Sequence, residues 1–168
     1  MNAIVPTDLH RQVEDVIFRE AMLLDRRKWE EWLDLYCEDC VYWMPSWCSE
    51  DELTDDPEIE LNYFYITSRG GLSDRVFRFA SGDSYASAPL PVTSHVVGTV
   101  VVEGEGETGV AACANWICVT LDARRGPVMR GGRYEYLLRR TSDGLRIARK
   151  KIVMLEQVID GTVDVYNV

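Results

Sequence analysis

The sequence predicts an α+β fold, a cone in which a strongly curved, mainly antiparallel sheet wraps around N-terminal helices, and three observations carry that prediction. Apolar residues recur at three- and four-residue spacing only in the first half, as in Leu9, Val13, Val16, Ile17, Ala21 and Leu24. From Val92 onward, β-branched and aromatic runs dominate, punctuated by glycine. Gly131 to Leu155 then reads as two long strands around Ser142-Asp143-Gly144, a tight hairpin turn in which Asp bonds its own backbone and Gly accepts positive φ. Helices followed by a strand meander indicate α+β rather than alternating βα units. With 168 residues and 46% hydrophobic content, the chain can form one domain, 1–168, around one core.

Taken in order, Thr7 to Asp25 is a helix with Thr7 or Asp8 as its N-cap after Pro6. Lys28 to Tyr36 is a shorter one, its stripe of Trp29, Trp32, Leu33 and Tyr36 being core rather than a ligand box. Asp39 to Met44 is a strand stopped by Pro45, and Leu61 to Ile66 is another. Gly70 to Phe79 is a helix with Leu72, Val76 and Phe79 on one face. His95 to Glu103 and Gly109 to Leu121 are paired strands joined through Gly104 to Glu107, and Ala123 to Pro127 leads into the hairpin. At least one of Trp43 and Trp47, beside Pro45, is expected to be buried, in the fold or against another subunit.

Charge is segregated along the chain. The net charge is -10, yet Ala123 to Lys151 carries ten basic residues against two acids, while Glu50 to Glu60 carries seven acids and no base. This pattern fits either two solvated surfaces or a head-to-tail contact between copies, basic sheet against acidic loop. The alternation also breaks at Arg149-Lys150-Lys151, where successive cations cannot all face water in an unbroken strand. Either a β-bulge keeps both lysines off the core, or one points inward to a carboxylate or a partner. Trp43, Trp47, Arg139, Arg140, Lys150 and Lys151 are therefore the interface candidates. Tyr134 and Tyr136 among arginines would suit stacking on single-stranded nucleic acid, but the net charge opposes it.

The residues that could carry chemistry are few. Five cysteines, an odd number, with no basic-then-apolar N-terminal segment and no apolar run of the roughly 18 residues a membrane helix needs, point to reduced thiols and a cytoplasmic protein without membrane contact. Cys37-x-x-Cys40 with Cys48 lacks a fourth zinc ligand nearby, so buried thiols are expected. A Rieske cluster needs two Cys and two His, and a mononuclear iron site two His and a carboxylate, whereas this chain has only His10 and His95. Gly70-Gly71 and Gly131-Gly132 read as backbone turns rather than nucleotide loops. His95, within reach of Asp25 or Asp83, is the residue whose ordinary pKa suits a general base. It anchors the competing reading, a stand-alone isomerase, dehydratase or cyclase on a cone-shaped domain.

WMPSW at Trp43 to Trp47, Asp56-Pro57, SRGGLSDRVFRF at Ser68 to Phe79, TSH at Thr93 to His95 and the closing RRTSDGLRIARKKIVML occur in one order across nearly the whole chain. Together they resemble the beta (small) subunit of aromatic-ring-hydroxylating dioxygenases, especially members acting on benzoate, toluate and anthranilate. Val97-Gly98-Thr99 departs from the family pattern, which there favours a polar pair. The resemblance implies a nuclear-transport-factor-2-like (SnoaL-like) cone and a non-catalytic, assembling role in the terminal oxygenase, with no catalytic, cofactor-binding or metal residue here. It implies a Rieske [2Fe-2S] cluster and mononuclear Fe(II) on a large (alpha) subunit, a hexamer of three large and three small subunits, and electrons passed from NADH by a reductase. The reaction implied adds O2 to an aromatic carboxylate, giving a cis-dihydrodiol.

Overall fold

A computed structural model describes residues 7–82 and 88–168. Its elements are α1 (Thr7–Asp25), α2 (Trp29–Leu33), β1 (Tyr36–Pro45), β2 (Asn62–Ile66), α3 (Arg69–Ala80), β3 (Val92–Gly106), β4 (Gly109–Asp122), β5 (Gly126–Thr141), β6 (Gly144–Met154) and a short 3-10 turn, Val165–Asn167. The six strands form one sheet in the order β2-β1-β6-β5-β4-β3. β3 to β6 are an antiparallel meander, while β1 joins β6 in parallel and β2 caps β1 antiparallel. The sheet is thus mixed at one seam, which strand patterning alone does not disclose because the parallel partner lies about a hundred residues away.

Local chemistry explains the element ends. α1 buries Leu9, Val13, Ile17 and Leu24 along one stripe. α3 starts where Ser68 Oγ accepts the Gly71 N–H at 3.0 Å, an N-cap. α2 stops at Leu33 rather than Tyr36, because the Ile147 N–H donates to Leu35 O at 2.8 Å and draws Tyr36 into β1. Pro45 ends β1 inside the ladder rather than outside it, at a register shift where it faces Asn62. Between β3 and β4, Gly104 and Gly106 join the ladder, so the connection shrinks to Glu107-Thr108 followed by Gly109 at φ +140°. At the Val97-Gly98-Thr99 departure the register shifts between Gly98 and Val101, with Thr99 at φ +55°.

The core lies between α1 and the concave face of the sheet. Trp32 packs edge-on against Tyr36 and Tyr42, Tyr42 against Phe64, and Trp116 stacks flat on Tyr134 with ring centroids 5.1 Å apart. The C-terminal segment closes the same core, its Tyr166 ring 5.1 Å from Phe79 and its Asp164 accepting from Arg75 Nε at 2.9 Å.

Candidate functional site

The inner end of the cone holds an ion pair. On α1 the apolar stripe Val13, Ile17, Leu24 is interrupted by Glu20, which is 1% exposed. Opposite it stands Lys150 of β6, placed inward by a bulge. Leu137 pairs with Arg149 and Leu138 with Ile147, so Ala148 is the extra residue, Lys150 falls opposite Tyr136 on the inner face, and Lys151 falls opposite Glu135 on the outer face. Of the two alternatives left open by Arg149-Lys150-Lys151, the second holds: Lys150 points inward to a carboxylate, and the bulge places it there instead of keeping both lysines off the core.

Lys150 Nζ lies 2.8 Å from Glu20 Oε1 and 4.0 Å from the centre of the Tyr134 ring. Tyr36 Oη donates to Glu20 Oε1, and Tyr136 Oη to Glu20 Oε2 at 2.8 Å. Burial lowers the Lys150 pKa, with Glu20 opposing the fall. Burial first, then the Glu20 charge, pushes both tyrosines well above their usual value, so they remain hydroxyl donors. The carboxylate is therefore held by one ammonium and two phenols, and its hydrogen-bonding capacity is spent inside the protein. Clefts of about 440, 400 and 300 Å3 are lined by other residues.

His95 sits in a second pair, its own ring buried and its partner Asp25 partly exposed, and both line the 400 Å3 cleft. Its Nδ1 is 2.6 Å from Asp25 Oδ1, its backbone N–H donates to Asp25 Oδ2 at 2.8 Å, and Thr93 Oγ1 donates to Asp25 Oδ1 at 3.0 Å. Burial would lower the His95 pKa, but the Asp25 bond reverses this and holds it up at about 9. An imidazolium cannot accept a proton at neutral pH, so this geometry argues against His95 as a general base. Asp83, the other partner considered for it, lies outside the described residues.

The raised folded-state value sets a pH dependence. The stabilisation is fully present below the ordinary value of 6.5 and is lost as pH rises through about 9, a difference worth about 3 kcal/mol. Asp25 works at the other end: burial would raise its pKa, but its bonds to His95 lower it, so its contribution is lost only in acid. Urea unfolding of wild type and His95→Asn at pH 6.5 and pH 9.5 is expected to show the stability gap between them shrinking by about 3 kcal/mol at the higher pH. A gap unchanged with pH would contradict the charged pair.

The interface candidates divide. Arg139 and Arg140 are exposed at one end of β5, the first 2.8 Å from Asp39 and the second 2.7 Å from Glu105. Lys151 lies 4.0 Å from Glu135 and 4.6 Å from the Trp43 ring centre. Trp43 is buried within this chain, and half-buried Trp47 donates to Met154 O at 3.1 Å. Lys150 corrects the expectation: its charge is spent on Glu20 inside the fold, leaving nothing to present to a partner. Within the chain, cations of Ala123 to Lys151 meet Glu20, Asp39, Glu105, Glu135, Asp143 and Asp160.

Cys37, Cys40, Cys48 and His10 do not gather into one cluster, while His95 stands opposite Cys118 across the β3–β4 ladder. Cys37 and Cys40 are buried, with the Cys40 thiol pushed up to about 12 by burial, whereas Cys48 is exposed on the following loop. His10 is on the surface of α1, 3.3 Å from Glu14. Among the described residues no three His, Cys, Asp or Glu side chains gather in a way that could hold a metal, and the donor set does not fit a Rieske cluster or a two-histidine iron site. No described helix is long and apolar enough to cross a membrane.

Sequence reasoning passed over Glu20, although a carboxylate at i+3 and i+7 from Ile17 and Val13 on an apolar face was the available signal for a buried partner of the lysine.

Known proteins locate this architecture. The 2-halobenzoate 1,2-dioxygenase small subunit of Burkholderia cepacia is 40% identical over 152 residues, 90% of this chain and 92% of that one. The anthranilate 1,2-dioxygenase small subunit of Acinetobacter baylyi is 37% identical over 164 residues, 96% and 98% of the two chains. The crystal structure of the beta subunit of benzoate 1,2-dioxygenase from Burkholderia mallei superposes with a TM-score of 0.76 at 28% identity, covering 100% of both chains. The sheet wrapped on α1 is the nuclear-transport-factor-2-like cone. Residues 19–161 match the family model for the ring hydroxylating beta subunit, and the chain belongs to that family.

Proposed function

We propose that this chain is the non-catalytic small subunit of the terminal oxygenase of a multicomponent dioxygenase that converts an aromatic carboxylate to a cis-dihydrodiol. The match to beta subunits along residues 19–161 carries the reading, and relatives named for halobenzoate and anthranilate support the carboxylate class. The filled cone supports it against a stand-alone isomerase, dehydratase or cyclase: the inner carboxylate is consumed by Lys150 and two tyrosines, and His95 is held as a cation. The large subunit supplies the Rieske cluster and Fe(II), a reductase delivers electrons from NADH, and three large and three small subunits form a cytoplasmic hexamer. The small subunit fixes the large ones in the ring, with Trp47, Arg139, Arg140 and Lys151 as accessible contact candidates.

Co-expression with a large subunit carrying Cys-x-His and Cys-x-x-His tests the reading. The chain is expected to co-purify with that partner, to contain neither iron nor acid-labile sulfide when purified alone, and to turn over no aromatic acid by itself. In the complex, His95→Ala should alter assembly or stability rather than the chemistry. Stoichiometric iron in the isolated chain, or turnover without the partner, would overturn the assignment.

A further inference from the structure

The free edge of β3 already binds one carboxylate. His95 pairs with Cys118 across the ladder, yet its N–H turns away from β4 and donates to Asp25 Oδ2 at 2.8 Å. In an antiparallel ladder, pairs that exchange both backbone bonds alternate with pairs that exchange none, so His95 belongs to the set whose N–H groups point off the sheet. Val97, two residues on and paired with Trp116 in the same register, belongs to that set too. Asp25 fills the first of these outward donors. The second opens on the 400 Å3 cleft, and among the described residues nothing outside the sheet accepts the Val97 N–H.

The facing wall of that cleft comes from α1. Phe18, Ala21, Met22 and Asp25 recur at three- and four-residue spacing and so share one helix face. Ala21 is small and leaves room between its larger neighbours, and Phe18 and Met22 stay 43% and 40% exposed. Val96 adds a third exposed apolar side chain to the lining. A planar ring laid among them would cover this surface, and phenyl groups and thioethers both favour an aromatic neighbour.

The charge suits an anion. Arg26, just past the end of α1, is exposed at the cleft and has no ion pair among the described residues. Asp25 is the only carboxylate among the described lining residues, and it is already matched by His95 Nδ1 at 2.6 Å. An entering carboxylate therefore meets one unmatched cation and one open N–H, partners for two charge-assisted hydrogen bonds. The cleft is near the small end of the roughly 300 to 1,000 Å3 that holds an organic ligand, which suits one ring bearing one carboxylate.

We propose that this cleft is a binding site for a single-ring aromatic carboxylate, its carboxylate held by the Val97 N–H and Arg26 and its ring against Phe18, Met22 and Val96. The choice of ligand class rests on the aromatic-carboxylate reading above, while the site itself is built from this chain alone. The small subunit thereby holds a molecule of the same class as the acid that the assembled oxygenase transforms.

Titrating benzoate into the isotope-labelled full chain, followed by amide NMR, tests it. Saturable one-to-one binding is expected, with a shift of the Val97 amide resonance as its N–H gains an acceptor. Benzamide keeps the ring without the charge, and acetate keeps the charge without the ring, so each should bind about tenfold more weakly or worse. Arg26→Gln should weaken benzoate binding by about the same factor, and because Arg26 is exposed its amide spectrum should otherwise match wild type. No saturable binding, binding that leaves Val97 unmoved, or equal affinity in Arg26→Gln overturns the proposal. Each of these leaves the subunit assignment standing, since that rests on co-purification with the large subunit. Benzoate binding as described, by a chain with no affinity for a large subunit, would keep the site and remove the assignment.

Discussion

Replacing Lys150 with methionine is expected to destabilise the chain by about 3 to 5 kcal/mol, because it strands the Glu20 carboxylate in the core with only two phenols. The size follows from the asymmetry of buried pairs. Bringing both charges out of water is costly, and the lowered Lys150 pKa shows burial outweighing the attraction of Glu20, so the intact pair adds little net stability. Removing one partner keeps the desolvation penalty and loses the compensation. The double variant Glu20→Gln/Lys150→Met should recover at least half of the loss, since the amide oxygen still accepts from a tyrosine and no charge remains. Denaturant unfolding of the two singles and the double decides the matter. A Lys150→Met protein within 1 kcal/mol of wild type would mean that the pair is solvated rather than sealed in the cone.

The same pair shows where reading the sequence succeeds and where it stops. Helix periodicity located α1 and α3 to within a residue or so at each end, and Ser142-Asp143-Gly144 marked the turn, because these signals are local. The conflict at Arg149-Lys150-Lys151 was visible too, since two adjacent cations cannot both be accommodated by strict alternation. What resolved it was not local: a bulge at Ala148, and a carboxylate 130 residues away on α1. The parallel seam between β1 and β6 was hidden for the same reason. The partners that the hairpin's arginines find within the chain, Asp39 on β1 and Glu105 on β3, were not legible either, because compensation follows distance in space rather than along the sequence. Exposed apolar residues of β3 and β4, such as Val96 and Ile117, were legible as parts of β-branched runs but not as exposed, because which side of a strand meets the core depends on the sheet it joins.

Trp43→Ala is expected to cost about 3 to 5 kcal/mol, the range for truncating a buried tryptophan to leave a cavity. The ring is 5% exposed although it stands on the side of the sheet that carries Arg149 and Lys151, and the burial has two sources. The cationic heads lie over the ring, 5.5 Å and 4.6 Å from its centre, with their aliphatic stems as cover. From the other side, Asn62 Oδ1 accepts the indole N–H at 2.5 Å, while Asn62 Nδ2 holds the loop that begins at Pro57. Truncation therefore opens a cavity, uncovers two cations and frees the residue that holds this loop. Trp43→Phe separates these effects: it keeps most of the packing and the cation contacts but leaves Asn62 Oδ1 without its donor, a loss of about 1 kcal/mol. Denaturant midpoints give the folding costs, and sedimentation of both variants gives the assembly cost. A change below 1 kcal/mol for Trp43→Ala in both measurements would show that the indole is not part of the packed structure.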